Sequence, residues 1–236
     1  MPLADGAHTT LHVASYPIAR TAVRVVRFAG RMQLAPWCGA NGVSEALGGG
    51  FFDLETGEPL GELRTSGIAR ATVPFDVPWH ELRACVHTSP GAVRIARRPD
   101  LPAQPRGDLL QAGPLLVRNG RSCTDGDPEG FSAGARQFDS DITAGRHPRA
   151  ALGLARRGRL LAVASEGRSA DEAGLTLPEL AEAFVALGAV HAINLDGGGS
   201  TALICGGLLR NRPREPDGTE LDGGRPVPTA LLFTPR

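Results

Sequence analysis

Lysine is absent from this 236-residue chain, and all 25 of its basic residues are arginine. Surface needs rarely exclude lysine altogether, so the bias fits the nucleotide composition of a source genome, and arginine abundance alone identifies no phosphate site. Neither sign of charge is in excess, because 25 acidic residues balance the arginines. That balance removes the signature of a nucleic-acid or anionic-membrane binder. No apolar run approaches the roughly 18 residues of a membrane span. The opening residues, Met1 to His8, have neither a basic n-region nor an apolar h-region, so the expected location is the cytoplasm. Cysteine is sparse: Cys38, Cys85, Cys123 and Cys205 form no Cys-x-x-Cys pair and read as reduced, packed side chains rather than disulfides. His80, Cys85 and His87 match no standard zinc spacing, so no metal is expected from them. There is no internal repeat, and the length suits one compact domain over 1–236.

What is present is concentrated near the C-terminal third. Asn194-Leu-Asp-Gly-Gly-Gly-Ser-Thr201 follows a short apolar run, Val190 to Leu195, that reads as a buried strand delivering Asp196 to its end. Three consecutive glycines accept positive φ and let the backbone approach a ligand without a Cβ in the way. The amides of Gly197, Gly198 and Gly199 could then converge on an anion. Asp196, Ser200 and Thr201 bracket the turn with a carboxylate and two hydroxyls. The plain structural alternative is a tight turn and nothing more.

Elsewhere the pattern gives more strand than helix. Thr21 to Phe28 alternates with a period near two. Ala150 to Ala155 and Arg159 to Ala164 flank Arg156-Arg157-Gly158 as a hairpin, and Ala202 to Cys205 and Leu208 to Arg210 flank Gly206-Gly207, which suits a type I′ turn. A final strand is expected over Thr229 to Thr234. One helix is clear: Thr176 caps it, Glu179 completes a capping box, Pro178 lies in the tolerant first turn and Gly188 closes it. Its apolar stripe is Leu177, Leu180, Ala181 and Phe184, with Leu187 or Val185. Arg97 to Arg106 is a Pro-rich connection, and 122–145 and 211–226 read as long loops of the kind that cover active sites. The expected fold is α+β, with a mixed or antiparallel sheet core, few helices and long loops over the site.

Several blocks, taken together and in order, resemble the phosphodiester glycosidase family. They are Gly48-Gly-Gly-Phe-Phe-Asp53 with Thr56 to Leu60, Gln111 to Gly120, Arg146-His-Pro-Arg149 with Leu152-Gly153, Glu166-Gly-Arg168, Leu175 to Leu180, Asn194 to Thr201, and Asn211-Arg-Pro213 with Arg225-Pro-Val-Pro228. They run from 48 to 228. Two positions depart from the family pattern: Gly48 stands where an Asn is usual, and Glu166 where an Asp is usual, one methylene shorter.

The resemblance implies hydrolysis of a sugar-1-phosphodiester to free sugar and phosphomonoester, with no cofactor and a small-molecule partner. Such a reaction passes through an oxocarbenium-like state with a good leaving group, so charge stabilisation should outweigh acid assistance. Asp196 and Glu166 are the candidate carboxylates, one as nucleophile or general base and the other as its partner, and His147 is a candidate proton donor. Arg149 and Arg168 offer forked donors to phosphate oxygens, with Gly197, Gly198 and Gly199 as a possible nest. Asn194, Ser200, Thr201, Gly49, Gly50 and Asp53 complete the candidate substrate contacts. Three have structural alternatives: His147 as a tie within its turn, Glu166 as a solvent-facing charge, and Asp53 as a turn cap. Two other functions use the same residues. One is a phospho-sugar binding module; the other is a metal-assisted phosphodiesterase with Asp196, Asn194 and Asp53 as oxygen ligands.

Overall fold

Period-two patterning and paired turns dictate the architecture. The computed structural model describes residues 1–132 and 142–236, so the middle of the loop expected over 122–145 lies outside the described residues. Every strand ladder in it is antiparallel. One sheet has six strands in the order Leu11–Pro17, Arg159–Ser165, Ala150–Ala155, Ala189–Asn194, Leu115–Arg118 and Arg121–Ser122. A second has five: Leu208–Leu209, Leu203–Cys205, Ala46–Gly48, Val227–Pro235 and Thr21–Met32. The third, also of five, runs Ile68–Ala69, Leu63–Thr65, Asp108–Gln111, Ala84–Ser89 and Ala92–Arg97.

The largest core cluster draws on all three sheets. Leu152, Leu160 and Ile193 come from the first, Leu47, Leu231 and Phe233 from the second, and Leu63, Val86 and Leu110 from the third. A second cluster lies between the six-stranded sheet and the helix Leu177–Ala186, whose capping box forms as the sequence indicates. Thr176 Oγ1 accepts the Glu179 N–H at 3.2 Å and the Glu179 carboxylate accepts the Thr176 N–H at 2.8 Å, which satisfies two orphan donors of the first turn. The hairpin at Arg156–Gly158 and the Gly206-Gly207 turn are both present, each glycine of the latter with positive φ.

Several expectations change. α-Helix is confined, among the described residues, to Leu177–Ala186 and to Leu34–Ala40, a segment the sequence pattern did not mark because Pro36 and Gly39 interrupt so short a run. The α+β description therefore fits loosely: this is a sheet-rich protein with antiparallel ladders, and parallel pairing is limited to an isolated bridge between Leu60 and Val73. In the long helix, Ala183 is buried, whereas Val185 and Leu187 are about 40% exposed, since the stripe drifts off the sheet near the helix end. Strand Ala92–Arg97 runs up to the Pro-rich connection. No described helix is long and apolar enough to cross a membrane.

Close backbone packing brings the Gly48–Gly50 segment to the site. An alanine Cβ at Gly49 would lie 2.3 Å from Thr229 Oγ1 and 2.6 Å from the Thr229 carbonyl carbon. Gly49→Ala should therefore destabilise the fold by at least about 1–3 kcal/mol through overpacking, read as a lowered urea midpoint with unchanged slope.

Candidate active site

Strand Ala189–Asn194 ends at Leu195, whose N–H donates to the Ala150 carbonyl at 2.8 Å, and the next residue leaves the sheet. The Asp196 N–H donates to Gly49 O at 3.1 Å, and the Gly198 N–H to Pro148 O at 2.9 Å. These bonds stretch the Gly-rich segment between two neighbouring loops before a short 3-10 turn, Gly198–Ser200, folds it back. Glycine is required twice here. Gly198 has φ +59°, and a Cβ on Gly197 would lie 2.7 Å from the Pro148 carbonyl oxygen.

Asp196 thereby faces a small cleft of about 120 Å³, lined among others by Phe51, Leu54, Ile142, His147, Pro216, Arg168 and Arg225. Burial raises its carboxyl from an ordinary 3.8 to about 6, against the opposing pull of the Ser200 hydroxyl, the Arg225 guanidinium, the Gly197 N–H and the Arg168 guanidinium. The Gly197 N–H reaches Asp196 Oδ1 at 3.0 Å. Ser200 Oγ lies near enough to act electrostatically on the carboxylate but outside hydrogen-bond geometry. Arg168, in the left-handed region at φ +62°, donates through Nη1 to Arg214 O at 2.8 Å. Its pKa is lowered, first by burial and then by the like charge of Arg225. Arg225 is held in turn by Glu215, which takes both Nε, at 3.2 Å, and Nη2. Two guanidiniums thus share the cleft with Asp196, one of them desolvated and the other paired with Glu215.

The remaining sequence candidates fall around this core in different ways. His147 lines the cleft, and its Nε2 donates to Ala144 O at 2.9 Å, so the turn-tying role is realised. Arg149 also reaches the cleft wall but is 2% exposed. Its guanidinium donates to the carbonyls of Leu175, Ile142 and Gly145 at 2.9, 2.9 and 3.4 Å, so the fork expected to face phosphate binds main chain instead. Asn194 donates through Nδ2 to Gly113 O and Leu195 O, which braces the strand end. Ser200 and Thr201 are buried beneath the turn rather than presented to the cleft.

Glu166 is neither solvent-facing nor part of the cleft lining. It is 3% exposed and engaged by His12 Nε2 at 2.9 Å and the Arg212 N–H at 3.0 and 3.1 Å. Gly49 packs on Thr229, and Gly50 packs on Leu110 and Gln111 while its N–H donates to Thr229 Oγ1 at 3.1 Å; neither lines the cleft. Asp53 caps a turn, its Oδ1 accepting from the Thr56 N–H at 2.6 Å and hydroxyl at 2.8 Å, and it does not line the cleft with Asp196 and Asn194. The three-amide nest is not open either, since the Gly197 and Gly198 N–H groups already have acceptors. Arg225 belongs to a family-like block but not to the candidate site residues, and Phe51, Leu54, Ile142, Pro148, Leu195 and Pro216 of the lining were likewise not among them. For Arg225 the available signal was the Gly-Gly-Arg-Pro run ending the 211–226 loop. A larger cavity, about 470 Å³ beside Arg24, Ser66 and Asp108, holds none of the candidates.

An antiparallel, sheet-rich fold thus places a desolvated carboxylate and two guanidiniums in one cleft. The family model for phosphodiester glycosidase matches residues 41–234, and the chain belongs to that family. It is 28% identical over 187 residues to the N-acetylglucosamine-1-phosphodiester alpha-N-acetylglucosaminidase of Bos taurus, covering 74% of this chain and 33% of that protein. The Homo sapiens counterpart is 29% identical over 184 residues, 72% of this chain and 33% of its own length. The chain thus spans about a third of the length of these curated relatives. Among solved structures, the zebrafish catalytic domain of that name, auto-inhibited by its pro-peptide, superposes with a TM-score of 0.68 at 18% identity, over 97% of this chain and 83% of that one. A hypothetical protein from Synechocystis gives 0.67 at 20% identity, over the whole of this chain and 61% of its own.

The raised Asp196 carboxyl has a consequence for stability. The folded state holds that proton more tightly than the unfolded chain, so stability is lost as pH rises from 3.8 through about 6 and the loss is complete above it. Asp196→Asn should therefore stabilise the protein at neutral pH by on the order of 2 kcal/mol, and not in acid below the lower value. Denaturant titrations at the two extremes check this.

Proposed function

We propose that this protein hydrolyses the glycosidic bond of a sugar-1-phosphodiester, releasing free sugar and a phosphomonoester, and that the chain acts as one domain. The observation that carries the reading is the Asp196 cleft, where a carboxylate held near pH 6 adjoins two mutually repelling guanidiniums. The ionised Asp196 serves as nucleophile or general base at the anomeric carbon, where positive charge develops. Arg168 and Arg225 hold the phosphate oxygens, and their charge stabilises the leaving group as the C–O bond breaks. Because a phosphate monoester leaves readily, His147 is not required to protonate it. The curated relatives support the substrate class, being named for action on an N-acetylglucosamine-1-phosphodiester.

Incubation with a panel of sugar phosphodiesters, nucleotide sugars included, followed by mass spectrometry of the products, tests the reading. Free sugar with a phosphomonoester is expected. Sugar phosphate as the sole product would mean phosphodiesterase action, and binding without any product a phospho-sugar binder.

Activity should fall as pH drops through about 6, when Asp196 takes up its proton. Asp196→Asn should lose about two to four orders of magnitude in turnover while remaining folded. Arg225→Lys keeps the charge but removes the fork, so KM should rise about tenfold with a smaller change in kcat. Steady-state kinetics of the two variants across pH provide the check.

A further inference from the structure

Glu166 is a buried carboxylate that the proposed chemistry does not use, and its contacts say what it does. It sits just past strand Arg159–Ser165, where its own N–H donates to Thr10 O at 2.9 Å and its carbonyl accepts the Thr9 hydroxyl at 3.1 Å. Its carboxylate reaches two other segments. His12 Nε2 approaches Oε1 at 2.9 Å, and the Arg212 N–H is shared between both oxygens at 3.0 and 3.1 Å, with Arg212 Nε 4.0 Å away. A carboxylate at 3% exposure is tolerated only when such donors replace its lost hydration.

The Arg212 bond matters because Arg212 opens a loop that reaches the cleft. The 211–226 loop presents Pro216 and Arg225 to the cleft, carries the Arg214 carbonyl that receives Arg168 Nη1, and supplies Glu215, which orients Arg225. Within itself the loop is braced by Arg214–Glu220 at 2.8 Å and by the Glu215 N–H to Thr219 O at 2.9 Å. At its far end the Arg225 N–H donates to Gly199 O at 2.9 Å. At its near end Asn211 accepts the Leu203 N–H and donates to Thr201 O, and the carboxylate of Glu166 takes the next N–H, that of Arg212, and ties it to the six-stranded sheet.

We infer that Glu166 is a positioning residue: by accepting the Arg212 N–H it fixes the loop whose Arg214 carbonyl and Arg225 guanidinium set the phosphate clamp. It does not take part in bond cleavage. The link to phosphate rests on the proposed function; the tie to the loop does not.

Two variants of the full chain test this, with inorganic phosphate as the binding probe. Glu166→Ala removes both acceptors, and Glu166→Gln keeps one acceptor for the Arg212 N–H while removing the charge. In the alanine variant, amides from Arg212 to Arg225 should lose hydrogen-exchange protection while the Ala150–Ala155 strand keeps it. The Kd for phosphate should rise about tenfold, with kcat on whichever diester the wild type cleaves changing less than about threefold. The glutamine variant should stay close to wild type in all three, because one acceptor suffices for a backbone donor.

A fall in kcat of about a hundredfold or more in Glu166→Gln, with phosphate binding intact, would place the carboxylate in the chemistry and overturn the inference. So would wild-type exchange protection of the loop in Glu166→Ala. If the wild type neither cleaves a diester nor binds phosphate, the proposed function fails, and the exchange measurement still decides whether Glu166 ties down the loop.

Discussion

The hydrogen bond from the Asp196 N–H to the Gly49 carbonyl joins the end of a strand in the six-stranded sheet to the end of a strand in its five-stranded neighbour. It forms because no side chain stands between the two backbones: Gly49 lies against Thr229, and Gly197 against the Pro148 carbonyl. Packing this close fixes Asp196 to the sheets rather than to a free loop. The same closeness partly buries its carboxylate, and that burial raises its proton affinity. The cleft, its electrostatics and its cost in stability all arise from backbones that meet where a Cβ would not fit.

Arginine does three different jobs in a chain that has no lysine. Arg83, fully buried, lies over the rings of Phe75 and Phe131 at 4.2 and 4.0 Å, and behind it Glu129 accepts the N–H groups of Ala84 and Leu115. A planar, weakly hydrated guanidinium can be stacked in this way where an ammonium would lose more solvation. Arg149 uses its fork to gather main-chain carbonyls from the turns around the cleft. Arg168 and Arg225 line the cleft with Asp196, and both act on its carboxylate. Residue type alone does not distinguish these roles; what each guanidinium is already bonded to does.

The strands, hairpins and capped helix were legible because each is written in local signals: alternation, a Gly-Gly turn, a Thr–Glu capping box. Asp196 was legible for the same reason, standing between an apolar strand and three glycines. What was hidden depends on non-local pairing. Nothing near Arg149 in the sequence announces that three carbonyls will surround it, and Glu166 meets its partners His12 and Arg212 only after the first strand and the 211–226 loop have converged. Arg225 lies in a polar loop without periodicity, so its position beside Asp196 emerges only from the fold. The short helix Leu34–Ala40 escaped notice because seven residues with a proline and a glycine carry too little periodic signal.

Placing Asp196 beside the paired guanidiniums also couples two equilibria. An anion seated on Arg168 and Arg225 offsets the positive field that now favours the ionised carboxylate, so its arrival raises the proton affinity of Asp196 above the already elevated value near 6. Under the proposed function, binding of a phosphate-bearing ligand near that pH would be accompanied by proton uptake, and its departure by proton release, the two being linked by the same free energy.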